Sequence, residues 1–258
     1  MVIILALFVA GALAGVLGAM LGLGGGIFLV PALTIAFHLP IRTAVATSLM
    51  GVIATSAGVS VAPRGRGADV TLALRLELVT AAGAIAGGLI ASRVGAQALS
   101  IFFALIVFLT CAYMVYKLRR QAPSKPSERL FSREYRPRNW PLGMALSSLA
   151  GMVSGLLGVG GGFIKVPVMY AIMGVPLGIS TATSNFMVGI TAAASVFVYY
   201  GRGDIHPMVV IPSSLGVFSG AMLGVYILPR VRVAWIRFGL IGLLFLMGVQ
   251  MLLRGFGL

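Results

Sequence analysis

Six runs of 15 to 24 residues, at 41–62, 78–92, 98–116, 177–200, 208–228 and 238–253, carry no acid or base in their interiors. A hydrocarbon layer about 30 Å thick takes about 20 apolar residues of helix per crossing. A backbone inside that layer must satisfy its own hydrogen bonds, so runs of this kind fold as helices. The fold class expected is therefore all-α, a polytopic transmembrane helical bundle. Charged residues make up only 9% of the chain, against about 25% in a soluble domain. The stretch that begins at Met1 is also apolar and lacks a basic n-region, so it reads as the first membrane helix rather than a cleaved signal.

The formal charge of +14 does not point to nucleic acid, because the basic residues show no patch interleaved with aromatics. They lie between the apolar runs. The largest group falls in 117–138, with Lys117, Arg119, Arg120, Lys125, Arg129, Arg133, Arg136 and Arg138, where the positive-inside rule places a cytoplasmic linker. Cys111 is the single cysteine, which excludes an internal disulfide and a cysteine metal cluster.

Residues 13–67 align with 149–203 at a constant offset of 136 without a gap. Gly22, Gly24, Gly25 and Gly26 fall on Gly158, Gly160, Gly161 and Gly162. Val30 and Pro31 fall on Val166 and Pro167, and Pro40 on Pro176. Ala46, Thr47 and Ser48 fall on Ala182, Thr183 and Ser184, and Thr55 on Thr191. Apolar composition aligns leucines by chance but not glycine and hydroxyl triplets in one register, so two homologous repeats are expected. These occupy 1–116 and 139–258, joined by the linker. Such duplication is the usual mark of a secondary transporter with its site where the repeats meet.

The segment 27–38 and its counterpart 163–173 are too short to cross upright, reaching about 18 Å at 1.5 Å per residue. Paired as a hairpin with the preceding helix, each leaves an odd number of further crossings per half, which makes the repeats inverted. Inversion puts 14 basic residues on the linker side against Arg42, Arg93, Arg202 and Arg254 opposite; a parallel arrangement gives 13 against 5. Inversion is preferred because it keeps Arg230, Arg232 and Arg237 with the linker.

Consecutive glycines cost about 1 kcal/mol each in a helix. The triplets Gly24, Gly25, Gly26 and Gly160, Gly161, Gly162 are therefore expected to break it, or to make it re-entrant. A short helix after such a break offers free N–H groups and the positive end of its dipole to an anion. A leucine at Gly25 or Gly161 is then expected to fill the anion's space while the fold survives. Gly11, Gly15, Gly83, Gly87 and Gly88 read instead as close-packing residues.

Lys165 is the one base well inside an apolar run, and its repeat partner is Leu29. A charge at a helix centre costs roughly 2.5–3.5 kcal/mol to insert, so Lys165 reads either as a ligand for the anion or as a lysine that snorkels to an interface. Thr47, Ser48, Thr183, Ser184 and Asn185 offer hydroxyl and amide donors, or hold the bundle together by interhelical bonds. Of the five acids none is expected deep in a span. Glu77, about one turn into the helix after Arg75, is the sole coupling candidate. His38 and His206 fall in short connections. No set of His, Asp, Glu and Cys suggests a catalytic metal or a triad, so neither cofactor nor enzyme is expected.

The paired glycine motifs ending in Val-Pro, followed by Ala-Thr-Ser, resemble those of the sulfite exporter TauE/SafE family of membrane permeases, over nearly the whole chain. The resemblance implies a bacterial or archaeal inner-membrane permease for small sulfur-containing anions, with Gly24 to Gly26, Gly160 to Gly162, Thr47, Ser48, Thr183, Ser184 and Asn185 in its central region. Its partners would be a small anionic substrate and membrane lipid, and a homodimer is compatible with the sequence. An uncoupled anion channel, or a membrane scaffold or enzyme recruiting a partner through the basic linker, remains the alternative.

Overall fold

The computed structural model describes residues 2–21, 24–61, 67–120, 135–227 and 233–256. Most of the basic linker, Gly22, and Arg64, Arg66, Arg230 and Arg232 of the charge count lie outside them. The described chain is all helix. In order the elements are α1 Val2–Leu21, α2 Gly26–Pro31, α3 Ile41–Val61, α4 Val70–Ala91, α5 Ala96–Arg120, α6 Trp140–Leu157, α7 Gly162–Pro167, α8 Leu177–Tyr200, α9 Pro207–Ile227 and α10 Val233–Gly255. Six of these, α1, α3, α4, α6, α8 and α9, are long and apolar enough to cross a membrane.

The residue distribution matches a lipid solvent. Large apolar side chains face outward, Leu78 at 78% and Phe197 at 77% exposure, while Thr47, Ser48, Thr80, Thr191 and Ser195 are fully buried. An apolar surface of this extent is tolerated only against lipid or another protein, and buried hydroxyls join neighbouring helices where no water competes.

Helix α4 starts eight residues before the apolar run at 78–92. Asp69 caps it by accepting from the Leu72 amide at 2.9 Å, and Leu72 and Leu76 carry its buried face through the charged turn. Arg75 is accommodated over the Trp140 ring at 5.6 Å. Helix α6 is also long and apolar enough to span, although hydroxyls and glycines interrupt its apolar pattern.

The short helices α2 and α7 both end at a proline, and both continue as a π-helical turn, Ala32–Ala36 and Val168–Ile172. Proline has no N–H to donate to the ladder, and a widened turn takes up the mismatch. In the first copy Thr34 Oγ1 donates to Val30 O at 2.9 Å.

The halves are interleaved rather than side by side. Helix α1 lies along α9, α4 along α6, α5 along α10, and α3 and α8 cross each other at the centre. Glycines set the approach. A Cβ on Gly11 or Gly15 would stand 2.3 or 2.2 Å from the Ser213 or Val217 carbonyl, and one on Gly83 or Gly87 2.2 or 2.0 Å from that of Ser148 or Met152. These four are packing residues, as expected; Gly88 meets only the Val198 side chain, at 3.4 Å.

The same contacts fix helix direction. Numbers rise together along α1 with α9 and along α4 with α6, so each pair is parallel. Gly51 and Gly58 of α3 meet Val217 and Ala221 of α9, again in parallel, whereas Gly248 and Gly255 of α10 meet Val107 and Ile101 of α5 in the opposite sense. Arg42 at the start of α3 donates to Ser92 O and Val94 O beyond the end of α4, at 3.3 and 3.2 Å, which makes α3 and α4 antiparallel.

Candidate functional site at the two helix breaks

Each triplet interrupts its helix by the conformation only glycine adopts freely. Gly24 and Gly25 have φ of 82° and 73°, and Gly160 and Gly161 have 84° and 71°, in the left-handed region that costs other residues roughly 1–2 kcal/mol. The ladder restarts with Phe28 and Leu29 donating to Gly25 O, and with Ile164 and Lys165 donating to Gly161 O, all at 3.1 Å. Amides ahead of these, on Gly26 and Ile27 and on Gly162 and Phe163, lie before the first ladder bond, where helix N-termini leave donors for other partners.

The breaks meet at the crossing of α3 and α8. A Cβ on Gly24 would contact Val52 of α3 at 3.2 Å and Val188 of α8 at 3.5 Å, while one on Gly26 would stand 2.2 Å from Gly158 O and 2.8 Å from Ser48 Oγ. Ser48 donates to Gly158 O at 2.7 Å. Gly26, Ser48 and Gly158 are therefore one cluster, built from both halves.

On α3 and α8, Thr47 Oγ1, Ser184 Oγ and Asn185 Oδ1 are buried without a hydrogen-bond partner, as is Ser154 Oγ of α6, whose Cβ would lie 3.4 Å from a Cβ on Gly161. A buried polar group left unpaired costs about 1–3 kcal/mol, and an unmet ligand or ion is one explanation for such groups. Thr183 sits apart. Its hydroxyl accepts from the Asp69 amide at 2.9 Å, near the end of the bundle where Tyr135 donates to Asp69 Oδ2 at 2.5 Å.

Lys165 departs from the snorkelling reading. It is 0% exposed, so it does not snorkel, and it is not an isolated charge. Its Nζ lies 3.4 Å from Glu77 Oε2 and donates to Thr191 Oγ1 at 2.5 Å. Thr191 in turn donates to Glu77 Oε1 at 2.5 Å. The expectation that no acid lies deep in a span is corrected by the same observation. Glu77 is seven residues into α4, 4% exposed, because burying one charge alone is far costlier than burying an ion pair with its hydrogen bonds met. The network ties α4, α7 and α8 together. It stands about 10 Å along α8 from Ser184, seven residues at 1.5 Å each, so Lys165 and the hydroxyl group occupy neighbouring levels of the bundle.

The expected effect of a leucine at Gly25 or Gly161 is also corrected. A Cβ there points at the Ala14 carbonyl at 3.0 Å or the Ala150 carbonyl at 2.8 Å, hence into the backbone of α1 or α6 and not into a space for an anion. Sequence reasoning passed over Thr191 as a functional residue. Its register with Thr55, together with the rule that a buried base needs an acid, contained the signal. His38 and His206 are exposed in their connections.

The family model described as Sulfite exporter TauE/SafE matches residues 7–251. A probable membrane transporter protein, YunE of Bacillus subtilis (strain 168), is 24% identical over 96% of this chain and 97% of its own. A probable membrane transporter protein, ORF9 of a Sinorhizobium species, is 30% identical over 84% of this chain and 80% of its own. The Sulfite exporter TauE/SafE family protein 3 of Arabidopsis thaliana is 46% identical over 20% of this chain and 11% of its own. No solved structure matches significantly.

Proposed function

Because the chain belongs to the sulfite exporter TauE/SafE family and is a membrane transporter, we propose that it moves a small sulfur-containing oxyanion, sulfite or an organosulfonate, across the cytoplasmic membrane by alternating access. The observation that carries this reading is the meeting of two glycine-broken helices at the α3–α8 crossing. Unpartnered Thr47 lies on α3, and Ser184 and Asn185 on α8, with the Lys165 network about 10 Å further along α8. Helix N-termini supply positive potential without a mobile counter-charge. In the closed bundle Glu77 balances the lysine.

Two inverted repeats are part of the reading. Support comes from the helix directions. Helices α1, α3 and α9 run one way, and α4, α6 and α8 run the other, so each helix of the first half opposes its counterpart at the same place in the second. A pseudo-two-fold axis in the membrane plane would relate Gly26 to Gly162 and α3 to α8. Rocking one half against the other about that axis opens the crossing to either side in turn.

Glu77 is the coupling group in this scheme. With sulfite as substrate, bisulfite arriving at the network passes its proton to a Glu77 carboxylate oxygen, and the resulting dianion takes the carboxylate's place beside Lys165. The occupied site then carries one net negative charge, offset by the two helix N-termini, and release on the far side reverses both transfers, so proton and anion move together.

The test is uptake into liposomes under an imposed pH gradient, screened over sulfite, sulfate, thiosulfate, sulfonates and carboxylates. Saturable uphill uptake of one sulfur oxyanion is expected. The Lys165→Met/Glu77→Gln double variant, which leaves no buried charge, should insert normally yet lose at least about tenfold in affinity, or about 1.4 kcal/mol. Full transport by that double variant would remove the network from the mechanism, and linear, voltage-following flux would make the protein a channel.

A further inference from the structure

At one end of the bundle, away from the central crossing, a recess of about 360 Å³ opens between the starts of α3 and α5 and the end of α10. Arg42, Arg254, Gln97 and Ser100 line it with Pro40, and the lining contains no carboxylate. Two guanidinium groups around one recess with no carboxylate in its lining give it a positive potential that an arriving anion meets. Their positions are held. Arg42 donates one nitrogen to the carbonyls of Ser92 and Val94, and Arg254 donates Nη1 to Thr34 O in the π-helical turn after α2. Each guanidinium has five N–H groups, so both keep donors in the fork geometry that suits oxyanions. The α3 and α5 dipoles add potential of the same sign.

We propose that this recess is a second oxyanion site, separate from the central crossing and placed at the mouth through which the anion passes. Through Thr34 it adjoins the short broken helix whose other end, roughly 12–15 Å away at 1.5 Å per residue, is the Gly24–Gly26 break. The proposal rests on the transport reading for the direction of traffic. In the inverted arrangement Arg42 and Arg254 belong to the face opposite the basic linker, so the site serves the outer side. An anion bound there faces a mixed apolar and cationic wall, suited to a sulfo or phospho group carrying a small organic substituent. A lipid headgroup offers the same chemistry.

The test uses the full chain in phosphatidylcholine nanodiscs, with sulfate and sulfite as probes in calorimetric titrations. The Lys165→Met/Glu77→Gln background separates this site from the central one. Anion binding that survives in that background, and falls at least about tenfold on adding Arg42→Gln with Arg254→Gln, is the expected result. Gln97→Glu should weaken it in the same direction while leaving both arginines and their carbonyl contacts in place, and Arg93→Gln, outside the lining, should not. Replacing a third of the lipid with phosphatidylglycerol identifies the source. Sulfate binding that is competed away only when both arginines are present assigns the recess to a lipid headgroup, the same chemistry from the membrane side. Background binding insensitive to the arginine pair and to Gln97→Glu, in either lipid, overturns the proposal. Failure of the central reading looks different, since the wild type would then transport none of the sulfur oxyanions while the recess still bound sulfate.

Discussion

Around the first break the polar contacts are modest. Thr55 donates to the Gly51 carbonyl at 3.0 Å and lies 3.3 Å from that of Gly24, and the third residue past the break is Leu29, 1% exposed. Around the second break the equivalent threonine, Thr191, joins an ammonium to a carboxylate, and the third residue past the break is Lys165. The backbones are alike, φ 73° and ψ −20° at Gly25 against φ 71° and ψ 0° at Gly161, and proline and a π-helical turn follow in both. The difference teaches that the two glycine breaks share one backbone solution, while a buried charge is installed beside only one of them. A second buried ammonium at position 29 without its own acid would be an unpaired buried charge.

The largest effect expected from breaking this asymmetry is at the ion pair. Glu77→Gln or Lys165→Met alone should lower stability by about 3–5 kcal/mol, because either leaves one buried charge uncompensated. The double variant should regain most of the loss, giving a coupling energy in a thermal-unfolding cycle well outside additivity. Leu29→Met, the change made at the corresponding first-half position, should be nearly neutral. Equal losses at Leu29 and Lys165 would erase the distinction between the two regions.

A smaller effect should be shared by both copies. Gly25→Ala and Gly161→Ala force a side chain into left-handed backbone at about 1–3 kcal/mol each, with the added crowding against Ala14 and Ala150. The prediction is that the two losses, measured by the same unfolding assay, agree within about 0.5 kcal/mol, the usual error of additivity. A large inequality would mean that the reversals are not structurally equivalent.

The smallest effect separates the threonines. Thr191→Val removes a hydrogen bond to an ionised group, and Thr55→Val one to a carbonyl, so the first should cost about 1 kcal/mol more than the second. Equal costs would show that the carboxylate draws little from Thr191.

The helices and the breaks were legible because each rests on local chemistry: apolar length and glycine's backbone freedom. The start of α4 was less so, since Arg75 and Glu77 hid a helix that Asp69 caps and Leu72 and Leu76 anchor. The partnership of Lys165 with Glu77 was illegible for a different reason. The two residues are 88 positions apart, on helices whose contact depends on how the halves interleave, and no local pattern encodes that. The orientation of Gly25 and Gly161 toward α1 and α6 was hidden likewise, because the sequence shows that a glycine is needed but not which neighbour needs it.

Interleaving also sets a timetable for biosynthesis. The glycine seam of α1, Gly11 and Gly15, is completed by Ser213 and Val217, about 200 residues later in the chain, which a ribosome working at 5–20 residues per second reaches after about 10–40 s. For that interval the nascent first helix sits in the bilayer with a small-xxx-small face ready to dimerise with whatever helix passes. The native partner arrives only with α9, so a chain truncated before 207 cannot bury the seam it has already inserted, and quality control in the membrane has a defined surface on which to act.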